Sequence, residues 1–375
     1  MAVYIENLQI EQFRGIQKLS IPHLNHINLV VGDNNCGKTS FLEALLLLRD
    51  PFDFTNTLRI ARMRDTLTTY GGISVYEGLL TLFPHNFSFK EEMRMIALTA
   101  CCNGSNISYS LQGKLQTIML DPEEQQRLFR YSTRTFYQAK DAIPSECQAF
   151  LGELLVNTRD YQEEQAVSFH EYSTVSGRDI PNNRFLNIVY LSPFDHLQGR
   201  LFSRILTNES YKNLCVAILR LFDPGITDLL LLKNEATNRS VECVKHKNLG
   251  IMPLSTYGDG IKKVLSIASG IAKAVNGILL IDEVETAIHS RYYEDVFRFI
   301  ISACQKFDVQ VFITSHSLEA IDSFLSIEDY DNTASFEDPI SVVTLKKESS
   351  HSYARVLSGR HVYQNREQFG FEVRL

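Results

Sequence analysis

VVGDNNCGKTSFLEALL, residues 30–46, decides how the chain is read. An apolar run stops at Gly32, four residues intervene, and Gly37-Lys38-Thr39-Ser40 opens an apolar helical pattern. The match to GxxxxGK[ST] is complete, and its setting fits. HINLVV before it reads as a buried strand, and TSFLEALLLL after it as a helix with apolar positions 41, 42, 45, 46 and 48. Glycine lets successive backbone N–H groups turn inward around a phosphate, and a helix N-terminus adds partial positive charge. Gly32, Asn34, Asn35, Cys36, Gly37 and Ser40 are therefore expected to form the cradle. Lys38 would reach the outer phosphate oxygens, and Thr39 would hold Mg²⁺.

Three later segments extend this reading. GILLIDEVETAIH, residues 277–289, is an apolar strand that delivers Asp282 and Glu283 at its end. The first carboxylate suits a metal and the second suits activation of a water. VQVFITSHS, residues 309–317, is another apolar strand, ending in Thr-Ser-His, so His316 could sense a terminal phosphate. PLSTYGDGIKKVLSIASGIAKAV, residues 253–275, places Ser255, Thr256, Gly258 and Gly260 just ahead of a helix with apolar positions 261, 264, 265, 267, 268 and 271. That is a second anion-ready helix start.

Composition sets the outer bounds. The chain has 375 residues, 44% apolar and 22% charged, a globular balance with room for a large core and an extra lobe. No apolar run approaches the roughly 20 residues of a membrane helix, and the opening MAVYIENLQIEQFRG lacks the basic and apolar regions of a secretion signal. Seven cysteines, odd in number and never spaced as CxxC, fit reduced thiols better than a disulfide framework or a zinc site. A cytoplasmic protein without membrane contact is expected. The net charge of −7 argues against a surface coated for DNA, while leaving room for a local basic groove.

The periodicity breaks after Asp50-Pro51 and returns to a core-like strand at FLNIVYLSP, from about 185. This predicts a nucleotide core split into 1–50 and 185–375, with an inserted α/β lobe at 51–184. Within the lobe, FTNTLRIARMRDTL reads as a helix carrying Arg59 and Arg62, and GGISVYEGLLTLF as a loop into a helix. ALTACCNGSNISYSLQGKLQTIML reads as a hairpin turning at NGSN. DPEEQQRLFRYSTRTFYQAK reads as a helix with Arg127, Arg130 and Arg134 on one face. Those arginines could meet phosphates or an acidic partner, although a solvated helix face is the simpler reading. In the core, 209–223 reads as helical, 226–249 as a hairpin, and HLNH at 23–26 as a turn.

Taken together, the segments resemble an ABC-type ATPase of the SMC and RecF-like branch. The order is the family's: Walker A at 32–39, signature at 255–260, Walker B with its glutamate at 278–283, then the switch histidine at 316. IENLQIEQFRGIQKLSI resembles the family's opening strand, whose FRG turn puts Arg14 where an arginine lies near the nucleotide. DEVETAIH resembles the DEPExxLH run of the overcoming-lysogenization-defect (OLD) proteins. GDGIKK and the closing REQFGFEVRL also resemble their segments. The signature departs from LSGGQ, and either Ser255 or Thr256 could take the serine role.

The resemblance implies an ABC-type α/β core, a mixed sheet with flanking helices, that binds ATP and Mg²⁺. ATP would be sandwiched between the P-loop of one subunit and the signature of another, so a homodimer or higher oligomer is implied. Lys38 and Thr39 would hold phosphates and metal, Asp282 would complete the Mg²⁺ shell, Glu283 would polarise water, and His316 would report the γ-phosphate. His289 would lie near the dimer interface. Small OLD-like ATPases of anti-phage systems of the PARIS type pair with a separately encoded toxin or Toprim-type nuclease and answer a phage trigger. A RecF-like ATPase acting on DNA in repair is the alternative. The stretch after His316 is shorter than the roughly 100 residues a Toprim domain needs, so the chain is expected to carry the motor without the cutter.

Overall fold

The computed structural model describes residues 4–64, 74–84, 93–121, 123, 146–173, 185–197, 200–234, 238–327, 339–348 and 351–374. The arginines at 127, 130 and 134, and the helix proposed to carry them, lie outside the described residues. The chain divides into two compact units. The first comprises 1–7, 21–42 and 186–375, and the second 8–20 and 43–185.

The first unit is built on a six-stranded sheet. Its strands are β3 (Ile27–Val31), β8 (Ile188–Leu191), β12 (Gly277–Ile281), β13 (Val309–Thr314), β14 (Ile340–Glu348) and β15 (His351–Ser358), in the order β15-β14-β3-β13-β12-β8. All neighbours pair in parallel except β14 with β15. Every residue of β3, β12 and β13 is buried. Strands covered on both faces must be apolar throughout, which is why they read as unbroken runs and not as alternation. A three-stranded antiparallel sheet, β9 (Ile226–Asn234), β10 (Arg239–His246) and β11 (Gly250–Pro253), confirms the hairpin expected at 226–249.

Helices follow the strands. α1 (Lys38–Leu47) opens directly after the phosphate-loop sequence. Further along come α4 (Phe202–Ile205), α5 (Glu209–Phe222), α6 (Asp259–Lys273), α7 (Tyr293–Lys306), α8 (Leu318–Leu325) and α9 (Gly359–Phe369). Side-chain caps place several starts: Asn208 accepts from Tyr211 N, Ser317 from Ala320 N, and Ser358 from His361 N. α6 lies against the sheet through Ile261, Val264, Leu265, Ile267, Ala268 and Ile271, the stripe its 3.6-residue spacing predicts.

The second unit has its own six-stranded sheet. β1 (Ile5–Phe13), β2 (Ile16–Ile21), β4 (Arg94–Cys102), β5 (Ser105–Met119), β6 (Glu146–Thr158) and β7 (Gln162–His170) run in the order β2-β1-β4-β5-β6-β7. The chain's first two strands therefore pair with the lobe's hairpins, although continuity with the P-loop had grouped 8–20 and 43–50 with the nucleotide core. β4 and β5 turn at Asn103-Gly104, with φ of 51° and 74°. Two successive positive φ values are what a tight hairpin matching strand twist requires. β5 and β6 then pair without a slip from Ile107–Thr158 to Met119–Glu146. In this ribbon Gly113 faces Gly152, and a Cβ added to Gly152 would sit 2.1 Å from the Gln112 carbonyl oxygen. α2 (Phe54–Arg62) begins at Asp53, whose side chain accepts from Thr55 N. α3 (Val75–Leu80) begins with a reciprocal capping box between Ser74 and Glu77. Among the described residues no helix is long and apolar enough to cross a membrane.

Candidate functional site

The candidate site lies at the C-terminal ends of β3, β13 and β12, where loops leave a parallel sheet and ligands gather in this fold class. The loop after β3 is held open by backbone conformations that few residues accept. Gly32 has φ +146° and Gly37 +104°, and Asn35 is left-handed at +64°. A side chain at Gly32 would also meet the Leu345 carbonyl oxygen at 2.3 Å, so both φ and space demand glycine there. Asn34 and Asn35 are exposed, while Cys36 and Ser40 are buried. Burial pushes the Cys36 thiol up, which keeps it protonated and unreactive near neutral pH. Lys38 arcs back over the loop, donating to the carbonyls of Gly32 at 2.8 Å and Asp33 at 2.9 Å.

Asp282 is the hub. It is 3% exposed, and its carboxylate accepts from three hydroxyls. Thr39 Oγ1 donates to Oδ2 at 2.9 Å, Tyr190 OH to Oδ2 at 3.2 Å, and Thr314 Oγ1 to Oδ1 at 2.6 Å. Thr39 and Asp282, expected to share a metal, thus stand together although 243 positions separate them in the chain. Among the described residues no three His, Cys, Asp or Glu side chains form a self-sufficient metal cluster. One hydroxyl and one carboxylate fit Mg²⁺, which takes one or two protein oxygens and completes its shell with water and substrate phosphates.

Glu283 follows with a left-handed φ of +48°, a conformation costing on the order of 1 kcal/mol for a non-glycine residue. Its N–H donates to Thr314 Oγ1 at 2.8 Å, so one threonine hydroxyl joins the backbone of Glu283 to the carboxylate of Asp282. Thr286 Oγ1 reaches Glu283 Oε2 at 3.3 Å. Two positions on, Glu285 is buried, and its Oε1 collects the next loop. It accepts from Ser315 Oγ at 3.0 Å, His316 N at 3.0 Å and Ser317 N at 3.3 Å. The same oxygen lies 3.0 Å from His316 Nδ1. This contact fixes the ring's orientation and leaves Nε2 as the nitrogen available to a phosphate. The closing segment adds a brace, since Arg374 donates to the His316 carbonyl at 3.2 Å.

The signature segment is exposed at Ser255, Thr256 and Gly258. Thr256 Oγ1 donates to the Pro253 carbonyl at 2.7 Å, which leaves Ser255 the better placed of the two to donate elsewhere. Gly258 caps α6 without a side-chain bond, and a Cβ there would meet nothing within 4 Å. Arg14 is buried, with Nε 2.8 Å from Glu43 Oε2 and Nη1 donating to Thr81 at 3.0 Å. His289 is exposed, and its Nδ1 accepts from Arg291 N at 3.2 Å.

Sequence reasoning missed four residues of this network: Tyr190, Thr314, Glu285 and Lys263. Lys263, on α6, is 2% exposed, and its Nζ lies 3.4 Å from the carbonyls of Pro193 and Glu283. Burial pulls its pKa down to about 8, against the opposing pull of Asp195, Glu285, Asp282 and Glu283. The available signal was a lysine set into the buried stripe of a helix.

Residues 27–322 match the family described as "AAA domain, putative AbiEii toxin, Type IV TA system". The chain belongs to this family. An ATP/GTP phosphatase of Helicobacter pylori is 23% identical over 401 residues, covering 97% of this chain and 99% of the relative. The DNA replication and repair protein RecF of Trichlorobacter lovleyi is 24% identical over 157 residues, covering 40% of this chain and 42% of that protein. Among solved structures, an SMC head bound to the C-terminal winged-helix domain of ScpA superposes with a TM-score of 0.51. It is 14% identical, covering 96% of this chain and 100% of that one. The fold resembles that of an SMC head, the ABC-type α/β ATPase fold the sequence led one to expect.

Proposed function

We propose that this AAA/AbiEii-family chain binds and hydrolyses ATP slowly, as a homo-oligomeric switch. The observation that carries the reading is the hydroxyl and carboxylate network Thr39–Asp282–Thr314–Glu283, which gathers the expected metal and water-activating groups at adjacent strand ends. Lys38 would exchange its loop carbonyls for β/γ-phosphate oxygens, with the N–H groups of Asn34, Asn35, Cys36, Gly37 and Ser40 around them. Thr39 and Asp282 would hold Mg²⁺, which neutralises charge on the transferring phosphoryl group. Glu283 would take the proton of the attacking water, and His316 would donate from Nε2 to the γ-phosphate. Ser255, Thr256 and Gly258 would complete the site of a second copy, because an exposed helix start with open space ahead of it suits a partner's phosphate.

The purpose we infer is defence. The chain would hold a separately encoded toxin or nuclease effector and release it when a phage protein is sensed, in the manner of OLD-like, PARIS-type ATPase subunits in the cytoplasm. The toxin–antitoxin wording of the family description supports this reading, as does the DEVETAIH run. RecF relatives favour a second reading, an ATPase acting on DNA in repair. Glu283→Gln tests the chemistry: nucleotide should still bind while turnover falls roughly a hundredfold or more, in line with loss of a positioned base. Turnover at the parental rate would reject the site. A pull-down from native cells tests the purpose. A co-encoded effector recovered with the chain supports defence, and tight binding to gapped DNA without such a partner supports repair.

A further inference from the structure

α6 carries one charged group into the interior that the proposed chemistry leaves unused. Among the described residues no carboxylate oxygen lies within ion-pair distance of Lys263 Nζ; its neighbours are two backbone carbonyls, of Pro193 and Glu283, each at 3.4 Å. A buried ammonium without a close ion-pair partner is a costly way to fill space, and an apolar side chain of similar length would be the cheaper filling. The position is informative because of what the second carbonyl belongs to. Glu283 sits in a left-handed conformation. Thr314 Oγ1 grips its N–H side at 2.8 Å, and Lys263 grips its carbonyl side. The residue is thus contacted on both sides of its own backbone unit.

We propose that Lys263 is a positioning residue for ATP hydrolysis: it fixes the left-handed backbone of Glu283 from the carbonyl side and thereby directs the carboxylate that activates water. The inference rests on the reading of Glu283 as the base. It also gives α6 a second task. The helix that opens at the signature Gly258 carries, on its second turn, the group that holds the Walker B glutamate, so a shift of α6 would be felt at Glu283.

The test compares the full chain with Lys263→Met, Lys263→Gln, Lys263→Arg and Glu283→Gln. Three readouts are taken: thermal melting, affinity for a fluorescent ATP analogue, and steady-state kcat and KM for ATP. Lys263→Met should melt at or above the parent temperature and bind the analogue within twofold, while kcat falls tenfold or more with KM little changed. Lys263→Arg, which keeps the charge, should recover part of that loss. A kcat within twofold of the parent in folded Lys263→Met overturns the proposal. So does a fall of melting temperature and kcat together that Lys263→Arg does not relieve, since that marks a structural lysine. If Lys263→Met does not fold, Lys263→Gln is read by the same criteria. If Glu283→Gln turns over like the parent, the base assignment fails and takes this inference with it. An inactive Glu283→Gln beside a normal Lys263→Met removes this inference alone.

Discussion

The two units bury polar groups for different ends. In the first, short strands covered on both faces stop abruptly; beyond their ends Lys38 and Glu283 are half-buried, Asp282 is braced by hydroxyls, and the exposed His316 is held by Glu285. In the second, long antiparallel strands alternate inward and outward, and its most buried charge is spent internally. Glu43 is 1% exposed and pairs with Arg14 at 2.8 Å and Arg64 at 2.6 Å. A parallel sheet lends its strand ends to chemistry because the strands themselves are fixed by burial. Among the described residues of the second unit, Glu43 is closed off by its two arginines.

If that contrast is right, substitutions in the first unit should cost activity without stability, and substitutions in the second the reverse. Lys38→Ala should show the largest effect. Loss of a point charge on the β/γ-phosphates should weaken ATP affinity by about a thousandfold, or ~4 kcal/mol, with the melting temperature unchanged, as read by nucleotide titration and calorimetry. Glu43→Ala should do the opposite. Leaving Arg14 buried without its carboxylate should cost about 3–5 kcal/mol of stability, seen in denaturant melts; a strong effect on nucleotide affinity in the folded protein would blur the contrast. Glu285→Gln keeps an oxygen for the His316 and Ser317 N–H groups but removes the charge facing His316 Nδ1. We expect kcat to fall about tenfold with nucleotide affinity held, and no further fall when Glu285→Gln is added to His316→Ala. Arg62→Glu, on the exposed side of α2, should be the mildest, within about 0.5 kcal/mol in stability and silent in ATP turnover. A loss of effector capture in that variant would sharpen the contrast by giving the second unit a recognition role.

What the sequence disclosed followed from contiguity. Strand, loop and helix around Lys38 are consecutive, so spacing alone predicted that run of elements, and the strand-end positions of Asp282 and His316 were legible in the same way. The bonds that assemble the site were not. Tyr190 reaches Asp282 across 92 positions and Thr314 across 32, and such pairings depend on which strands become neighbours. Glu285 read as one more acid in DEVETAIH until the loop after β13 was seen to converge on its Oε1. The same non-locality misgrouped β1 and β2. They precede the P-loop in the chain, yet their sheet partner is β4, a choice no local pattern encodes.

The paired glycines of the β5–β6 ribbon have a mechanical consequence. Along most of its length the ribbon is a beam stiffened by side chains standing on both faces. At Gly113 and Gly152 both chains lose theirs at the same rung, and the backbones come too close to admit any. A beam thinned at one cross-section creases there, with the fold line running straight across both strands. Bending loads carried by the ribbon would be relieved at this rung before any hydrogen bond on either side gives way. Amide exchange should therefore be fastest in a narrow band centred on it, flanked by slower exchange towards Ile107 and towards Met119.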